Sequence, residues 1–251
     1  MALSELERKV HLVKPFRVPA YWTRFGAFDW GYQHPWSFGE YAVTEDGDVF
    51  KLQTIHGRHH LPAEIAERIT SKLDPTKLRY ISAGRDCFAE MRARGENTPT
   101  IAEQMNKKGL TLSEANVARI NGLNNLRAYL SWRNTGPDGT VGDPGLRFFD
   151  EPGNRACFEQ LETMVTDPDD AEDVLKVDAD EFGEGGDDFY DETRYGMASR
   201  PRRAPNPMTE QVVKPFAATT LRHESEMQRR PKEKIPARPR VPSHDEFGDA
   251  Y

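Results

Sequence analysis

Three strand-like segments in a row, joined by short turns, dominate the first part of the chain. Residues 21–29 alternate aromatic and small side chains and end in a turn, and residues 35–44 form a second such run. Residues 45–48, Glu-Asp-Gly-Asp, predict a hairpin turn, and residues 49–55 predict the returning strand. Three sequential antiparallel strands are the simplest interpretation.

Helical and strand patterns alternate after this unit. Apolar residues recur every four positions between Leu61 and Leu73, which predicts a helix, and residues 78–84 predict another strand. Further helices are predicted over 100–108, 114–130 and 155–165, a short strand over 146–149, and a last helix from Gly186 onward. The order predicts an α/β fold in which helices flank a mixed β-sheet.

The composition indicates that part of the chain lies outside a core. Hydrophobic residues make up 37% and charged residues 30%, with a mean hydropathy of -0.77. Prolines recur throughout the segment beyond Ser199, which argues against a packed core there. We therefore expect a lead-in over 1–19, a folded domain over 20–199, and a Pro-rich, locally basic, disordered tail over 200–251.

Other global features exclude several classes of protein. No apolar run approaches the roughly 18 residues of a membrane span, and the N-terminus shows no signal-peptide pattern. Cys87 and Cys157 are far apart, which fits a reducing compartment rather than a disulfide framework. The net charge of -7 conceals segregated signs. Residues 162–192 contain fourteen Asp or Glu and one basic residue, Lys176, whereas residues 197–251 contain eleven Lys or Arg and seven Asp or Glu.

Acidic residues follow two of the predicted strands and open the last helix. Asp29 ends the first strand, and Asp86 follows the strand over 78–84. Asp188 and Asp191 are three apart, so they share one helix face. Each of these residues alone is more commonly a turn or cap residue.

Together, the four carboxylates suggest a metal site. If the two strands are neighbours and the last helix packs across their ends, the carboxylates form an all-oxygen cage. Two divalent ions about 3.5–4 Å apart in such a cage can activate water and stabilise the leaving oxygen of a phosphodiester.

Three motifs of this sequence resemble the acidic motifs of the nuclease domain of viral large terminase subunits, a domain of the ribonuclease H-like superfamily. They are Ala27–Tyr32, Ala83–Asp86 and Gly186–Tyr195. The segment that links the second and third motifs is also similar to the phage terminase pattern, and the resemblance covers about residues 20–196.

The resemblance implies a metal-dependent endonuclease that cleaves concatemeric double-stranded DNA during viral genome packaging. It assigns Asp29, Asp86 and Asp191 as catalytic metal ligands for two Mg²⁺ or Mn²⁺ ions. Asp188 falls where many members have histidine and is expected to be a further ligand. Asp187 and Glu192 are expected to lie outside the site. Candidate phosphate contacts, chosen because backbone binding uses Lys and Arg, are Arg85, Lys107, Lys108, Arg119 and Arg127.

The sequence departs from large terminases in one respect, because no Gly-x-x-x-x-Gly-Lys-Ser/Thr phosphate loop is present. We therefore predict no ATP hydrolysis by this chain: either the sequence is the nuclease part on its own, or an ATPase motor domain resides on another chain. Other expected partners are the small terminase subunit and the portal of the procapsid. The expected location is the host cell cytoplasm, transiently at the portal, with no membrane.

Two other interpretations remain open from the sequence. The chain could be another ribonuclease H-like nuclease, of the resolvase or transposase type. It could also be a non-catalytic packaging adaptor that keeps the fold and acts through its tail.

Overall fold

The computed structural model describes residues 2–89, 99–115, 119–133, 135–170, 173–177, 179–180 and 185–201, without the side chains of residues 119–122. Within these ranges the strands are β1 (Leu12–Val13), β2 (Thr23–Asp29), β3 (Trp36–Val43), β4 (Val49–Gly57), β5 (Ile81–Ala83), β6 (Ser113–Glu114) and β7 (Leu146–Phe149). The helices are α1 (Arg8–His11), α2 (Pro62–Lys72), α3 (Ile101–Asn106), α4 (Arg119–Leu130), α5 (Pro152–Thr163) and α6 (Asp188–Ser199).

The strands form one mixed sheet in the order β1-β7-β4-β3-β2-β5-β6. β2, β3 and β4 pair antiparallel, as the sequence predicts, and the remaining neighbours pair parallel. The β3–β4 turn closes where predicted, since Thr44 N–H donates to the Asp48 carbonyl at 2.9 Å. This arrangement confirms the mixed sheet with flanking helices.

Helices cover both faces of the sheet, and each face has its own apolar core. α2 and α3 lie over one face, where Phe28, Trp36 and Phe38 are fully buried. α4, α5 and α6 lie over the other, against Phe25 and Tyr41. Successive strand residues point to opposite faces, which is why neighbouring aromatic residues of β2 and β3 enter different cores.

The helices begin and end where local chemistry favours it. At α3, Glu103 N–H donates to Thr100 Oγ1 at 3.1 Å and Thr100 N–H donates to Glu103 Oε2 at 2.8 Å, a reciprocal capping box. Gly109 follows the helix with φ of 83°, a left-handed conformation that glycine adopts without strain. In α2, Ile65 and Ile69 are both fully buried, which confirms the middle of its predicted apolar stripe, whereas Leu61 precedes the helix and is 58% exposed.

Two segments differ from the sequence-based expectation. The lead-in over 1–19 contributes the edge strand β1, which pairs with β7, and it buries Leu3 in the core. The helix predicted over 114–130 is shorter, because Ser113–Glu114 pairs with β5 instead and Ala115 N–H donates to the Ala83 carbonyl.

The predicted tail lies almost wholly outside the described residues, so the division at 200 stays a prediction. In the described part of the chain, no helix is both long and apolar enough to span a membrane.

Candidate functional site

Asp29 and Asp86 follow two adjacent parallel strands. Asp29 is the last residue of β2, and Asp86 lies in the short 3-10 helix Arg85–Phe88 that follows β5. β2 and β5 pair in parallel register, with Phe28 opposite Ala83, so their carboxyl ends meet at one edge of the sheet. The predicted neighbourhood of these two strands is confirmed.

Helix α6 brings two further carboxylates to this edge, because it packs against β2, β3 and β5. Asp188 and Asp191 lie in its first turn, and each is only 7% exposed. The N-terminus of the helix is held by Gln160 of α5, whose Oε1 accepts hydrogen bonds from Phe189 N–H at 2.9 Å and Tyr190 N–H at 3.1 Å. An external side chain therefore satisfies backbone donors that are usually satisfied by a local cap.

The carboxylates are close enough to repel one another. Loss of water raises the pKa of Asp29 well above its ordinary value, and the negative charges of Asp191, Asp86, Asp188 and Asp187 raise it further, in that order. Burial also raises the pKa of Asp188 to about 7, with Asp187 as the next cause. The site thus concentrates negative charge in a partly dehydrated place.

Asp86 belongs to an exposed turn, yet its carboxyl lies close to Gly84 and α6. A Cβ added to Gly84 would lie 2.6 Å from Asp86 Oδ1 and 3.3 Å from the Tyr195 hydroxyl oxygen, so glycine lets the carboxyl approach α6. The pKa of Asp86 is raised, first because its carboxyl loses water and also because of the charge of Asp191. Asp86 therefore belongs to the same cluster.

Asp191 differs from the other three because cations of the chain contact both of its oxygens. Arg194 Nε and Nη2 donate to Oδ1 at 3.1 and 2.9 Å. Lys176 Nζ donates to Oδ2 at 2.9 Å and also lies 2.9 Å from Asp187 Oδ2. Burial opposes the charge on Lys176, yet the two aspartates outweigh it and raise the pKa of the lysine.

The cluster suits a hard divalent cation in its chemistry. All four groups are carboxylates, the ligand type that Mg²⁺ and Mn²⁺ prefer. Within the described part of the chain, no ion pair reaches Asp29, Asp86 or Asp188, although the charge of His34 opposes the rise in the pKa of Asp188. As the side chains stand, no three acidic, histidine or cysteine groups among the described residues converge on one point. Both oxygens of Asp191 are instead held by Lys176 and Arg194.

Sequence reasoning missed two residues that shape the site. Nothing in the sequence indicates that Gln160 holds the N-terminus of α6, because this contact depends on α5 lying beside α6. Lys176 did give one, since it is the only basic residue in the acidic stretch 162–192. A lone cation among carboxylates is expected to pair with them, and the structure places it against Asp187 and Asp191.

The candidate phosphate contacts differ in their exposure and in the partners that they have in the structure. Arg85 is exposed beside Asp86, with Nε 3.0 Å from Glu114 Oε1. Lys107 is exposed at the end of α3, and Lys108 pairs with Glu67 at 2.7 Å. Arg127 is half-buried and donates to the Ala2 carbonyl at 3.0 Å, a contact that fastens the N-terminal segment. The side chain of Arg119 lies outside the described residues.

Comparison with known proteins finds similarity in structure rather than in sequence. No protein-family model and no curated protein sequence matches the chain. The nuclease domain of the P22 large terminase superposes with a TM-score of 0.58 at 16% identity, over 79% of this chain and 92% of that one. The large terminase from a thermophilic bacteriophage, in complex with ATP-gamma-S, gives a TM-score of 0.59 at 14% identity, over 79% of this chain.

The match to the thermophilic-phage terminase is partial, because the chain corresponds to only 45% of its length. The P22 match spans almost the whole nuclease domain. Since identities near 15% establish the fold and not the chemistry, the conclusion is structural. The chain has the ribonuclease H-like fold of the nuclease domains of phage large terminases.

Proposed function

We propose that this chain is a metal-dependent endonuclease that cuts concatemeric double-stranded DNA during viral genome packaging. The observation that carries the proposal is the clustering of Asp29, Asp86, Asp188 and Asp191 where β2, β5 and α6 meet. The fold of phage terminase nuclease domains supports the same function. A non-catalytic adaptor would have no need for partly buried carboxylates that repel one another.

Asp29, Asp86 and Asp191, with Asp188 beside them, are the groups that would hold two Mg²⁺ or Mn²⁺ ions. When bound, these ions supply Lewis-acid stabilisation of the phosphate charge and a source of nucleophilic water at neutral pH. Arg194 fixes one oxygen of Asp191. The negative charge of the four carboxylates repels the phosphates of DNA unless cations are bound between them. DNA therefore reaches the carboxylates only together with the metal ions that offset its phosphate charge.

The length of the match to the thermophilic-phage terminase supports the proposal of a separate motor. That large terminase was solved with ATP-gamma-S, and this chain corresponds to less than half of it. We infer that an ATPase motor outside this sequence moves the DNA, with the small terminase subunit and the procapsid portal as further partners. The work would take place in the host cell cytoplasm.

Replacing Asp191 by asparagine is expected to reduce cleavage by at least about 100-fold, because an amide is a far poorer ligand for a hard cation than a carboxylate. The measurement is nicking and linearisation of supercoiled plasmid with Mg²⁺ or Mn²⁺, compared with the same reactions in EDTA. Asp138→Asn is the matched control, since Asp138 is exposed and outside the cluster. Equal cleavage by the Asp191 variant and wild type would overturn the site. No metal-dependent cleavage by wild type would favour the adaptor.

Replacing Lys176 by methionine is expected to tighten Mn²⁺ binding several-fold. The lysine ammonium contacts the Asp191 oxygen that a metal ion would need, so binding must displace it. The lysine side chain is 45% exposed, which limits its contribution to about 1 kcal/mol. Isothermal titration of Mn²⁺ without DNA measures the effect, with Lys77→Met as a control lysine outside the cluster. Unchanged or weaker binding in the Lys176 variant would contradict this competition.

A further inference from the structure

A second group of ionisable side chains lies beneath α6, on the side that faces the sheet. Lys51 of β4 and Glu192 of α6 are both fully buried, with Nζ donating to Oε2 at 2.5 Å. Tyr41 of β3 donates its hydroxyl to Glu192 Oε1 at 2.7 Å. Lys51 Nζ also donates to Thr193 Oγ1 at 2.9 Å and Cys157 Sγ at 3.1 Å. Glu192, expected from the sequence to play no part, is thus tied to two strands.

The space around this pair leaves little freedom for the helix. A Cβ added to Gly39 would lie 2.2 Å from Glu192 Oε1, so the carboxylate rests directly on the backbone of β3. Farther along α6, a Cβ added to Gly196 would lie 3.0 Å from the Tyr41 ring. Two glycines therefore bring the helix and the sheet together around one polar contact.

Stability does not explain why an ion pair occupies this position. Removing two charges from water costs several kcal/mol, and well-packed apolar residues of similar volume often serve as well or better. The surrounding core is apolar, with Phe25, Phe158 and Tyr190 buried in it. A buried polar contact can instead specify one arrangement among several that apolar packing would tolerate.

The position of Glu192 in the chain connects this contact to the carboxylate cluster. Glu192 follows Asp191 directly, and successive helical residues are about 100° apart around the axis. When Glu192 points at Gly39 and Lys51, the rotation of α6 is fixed, and so is the direction of Asp191. In β2, Ala27 pairs with Gly39 and precedes Asp29 by two residues, so the contact lies beside the strand that carries Asp29.

We propose that Lys51 and Glu192 are positioning residues, which set the rotation and height of α6 so that Asp188 and Asp191 face Asp29 and Asp86. The link to metal binding rests on the proposed function, whereas the positioning of α6 does not. The pair touches no substrate and no reacting atom. It acts through the helix that carries two of the four carboxylates.

The experiment replaces both charges by neutral side chains of similar shape, in the double variant Lys51→Met/Glu192→Gln. The control is Arg155→Met/Asp150→Asn, which removes an exposed pair whose atoms are 2.6 Å apart. For wild type and both variants, the metal-free Tm, amide hydrogen exchange along α6, and Mn²⁺ affinity without DNA are measured. If the pair only stabilised the fold, its replacement would lower the Tm and speed amide hydrogen exchange throughout the domain, not only along α6.

For the Lys51/Glu192 double variant we expect a Tm within about 5 °C of wild type, while amides of α6 exchange about tenfold faster and Mn²⁺ binds about tenfold more weakly. The control should match wild type in all three. Retained Tm with unchanged α6 exchange and Mn²⁺ affinity would overturn the proposal, as would a large fall in Tm with faster exchange throughout the domain. If wild type binds no Mn²⁺, the proposed function fails, and α6 exchange alone decides the positioning role.

Discussion

Replacing Asp29 by asparagine is expected to abolish DNA cleavage and at the same time to stabilise the metal-free protein. Cleavage should fall by at least about 1,000-fold, the scale observed when one member of a catalytic set that acts as a unit is removed. Stability should rise because asparagine keeps the shape of the side chain and removes a charge that its neighbours repel. Asp191, Asp86, Asp188 and Asp187 all contribute to that repulsion.

The stabilisation is expected to depend on pH in one direction. Folding raises the pKa of Asp29, so the folded protein keeps a proton that the unfolded chain loses above about pH 4. Where the folded state binds more protons, stability falls as the pH rises. The metal-free wild type should therefore lose stability above about pH 4, and this loss should be smaller in Asp29→Asn. The metal-free wild type and Asp29→Asn should have similar free energies of unfolding near pH 4, and these free energies should differ most at pH 8.

Calorimetry at pH 4 and pH 8, without and with Mn²⁺, tests these expectations. At pH 8 the metal-free Asp29→Asn protein should melt more than about 2 °C above wild type, which corresponds to about 1 kcal/mol for a chain of this size. Mn²⁺ should then raise the Tm of wild type more than that of the variant. An Asp29→Asn protein that is less stable than wild type at pH 8 would show that the carboxylate is a structural group. Asp138→Asn serves again as the control.

The sequence predicts those parts of the fold that depend on neighbouring residues. The turn at Asp46-Gly47, the helix that begins after Thr100 and the burial of Ile65 and Ile69 all depend on short-range chemistry, and all are present. The edge strand β1 is only two residues long, and it forms because β7 offers it a parallel partner. Strand order likewise depends on contacts between distant residues, which local patterns do not encode.

In the candidate site too, features that depend on local sequence are predictable, and features that depend on distant contacts are not. Asp29 and Asp86 could be placed together because both follow strands of one sheet, and carboxyl ends of adjacent parallel strands share an edge. The sequence places Glu192 outside the site and predicts no further role for it, because nothing near it in sequence shows that Lys51 and Tyr41 lie beneath it. Lysine in a strand usually indicates a solvent-facing position. Here Lys51 is fully buried, and only the packing of α6 explains it.

Replacing Lys51 alone by methionine is expected to destabilise the protein far more than the neutral double replacement. Breaking a buried ion pair by removing one partner typically costs about 3–5 kcal/mol, because the remaining charge is left uncompensated. For a chain of this size the Tm should fall by roughly 6–20 °C. Lys108→Met removes a lysine whose partner Glu67 is exposed, and it should cost less than about 1 kcal/mol.

The cost of Lys51→Met should also grow with pH, because Glu192 can then be accommodated only by taking up a proton. Burial already raises the pKa of Glu192 while Lys51 opposes the rise, so loss of the lysine raises it further. The folded variant then binds a proton that the unfolded chain releases above about pH 4.3, and its stability falls as the pH rises. Denaturant unfolding at pH 5.5 and pH 8 measures this difference. A cost below about 1 kcal/mol at both pH values would show that α6 adjusts freely to the loss.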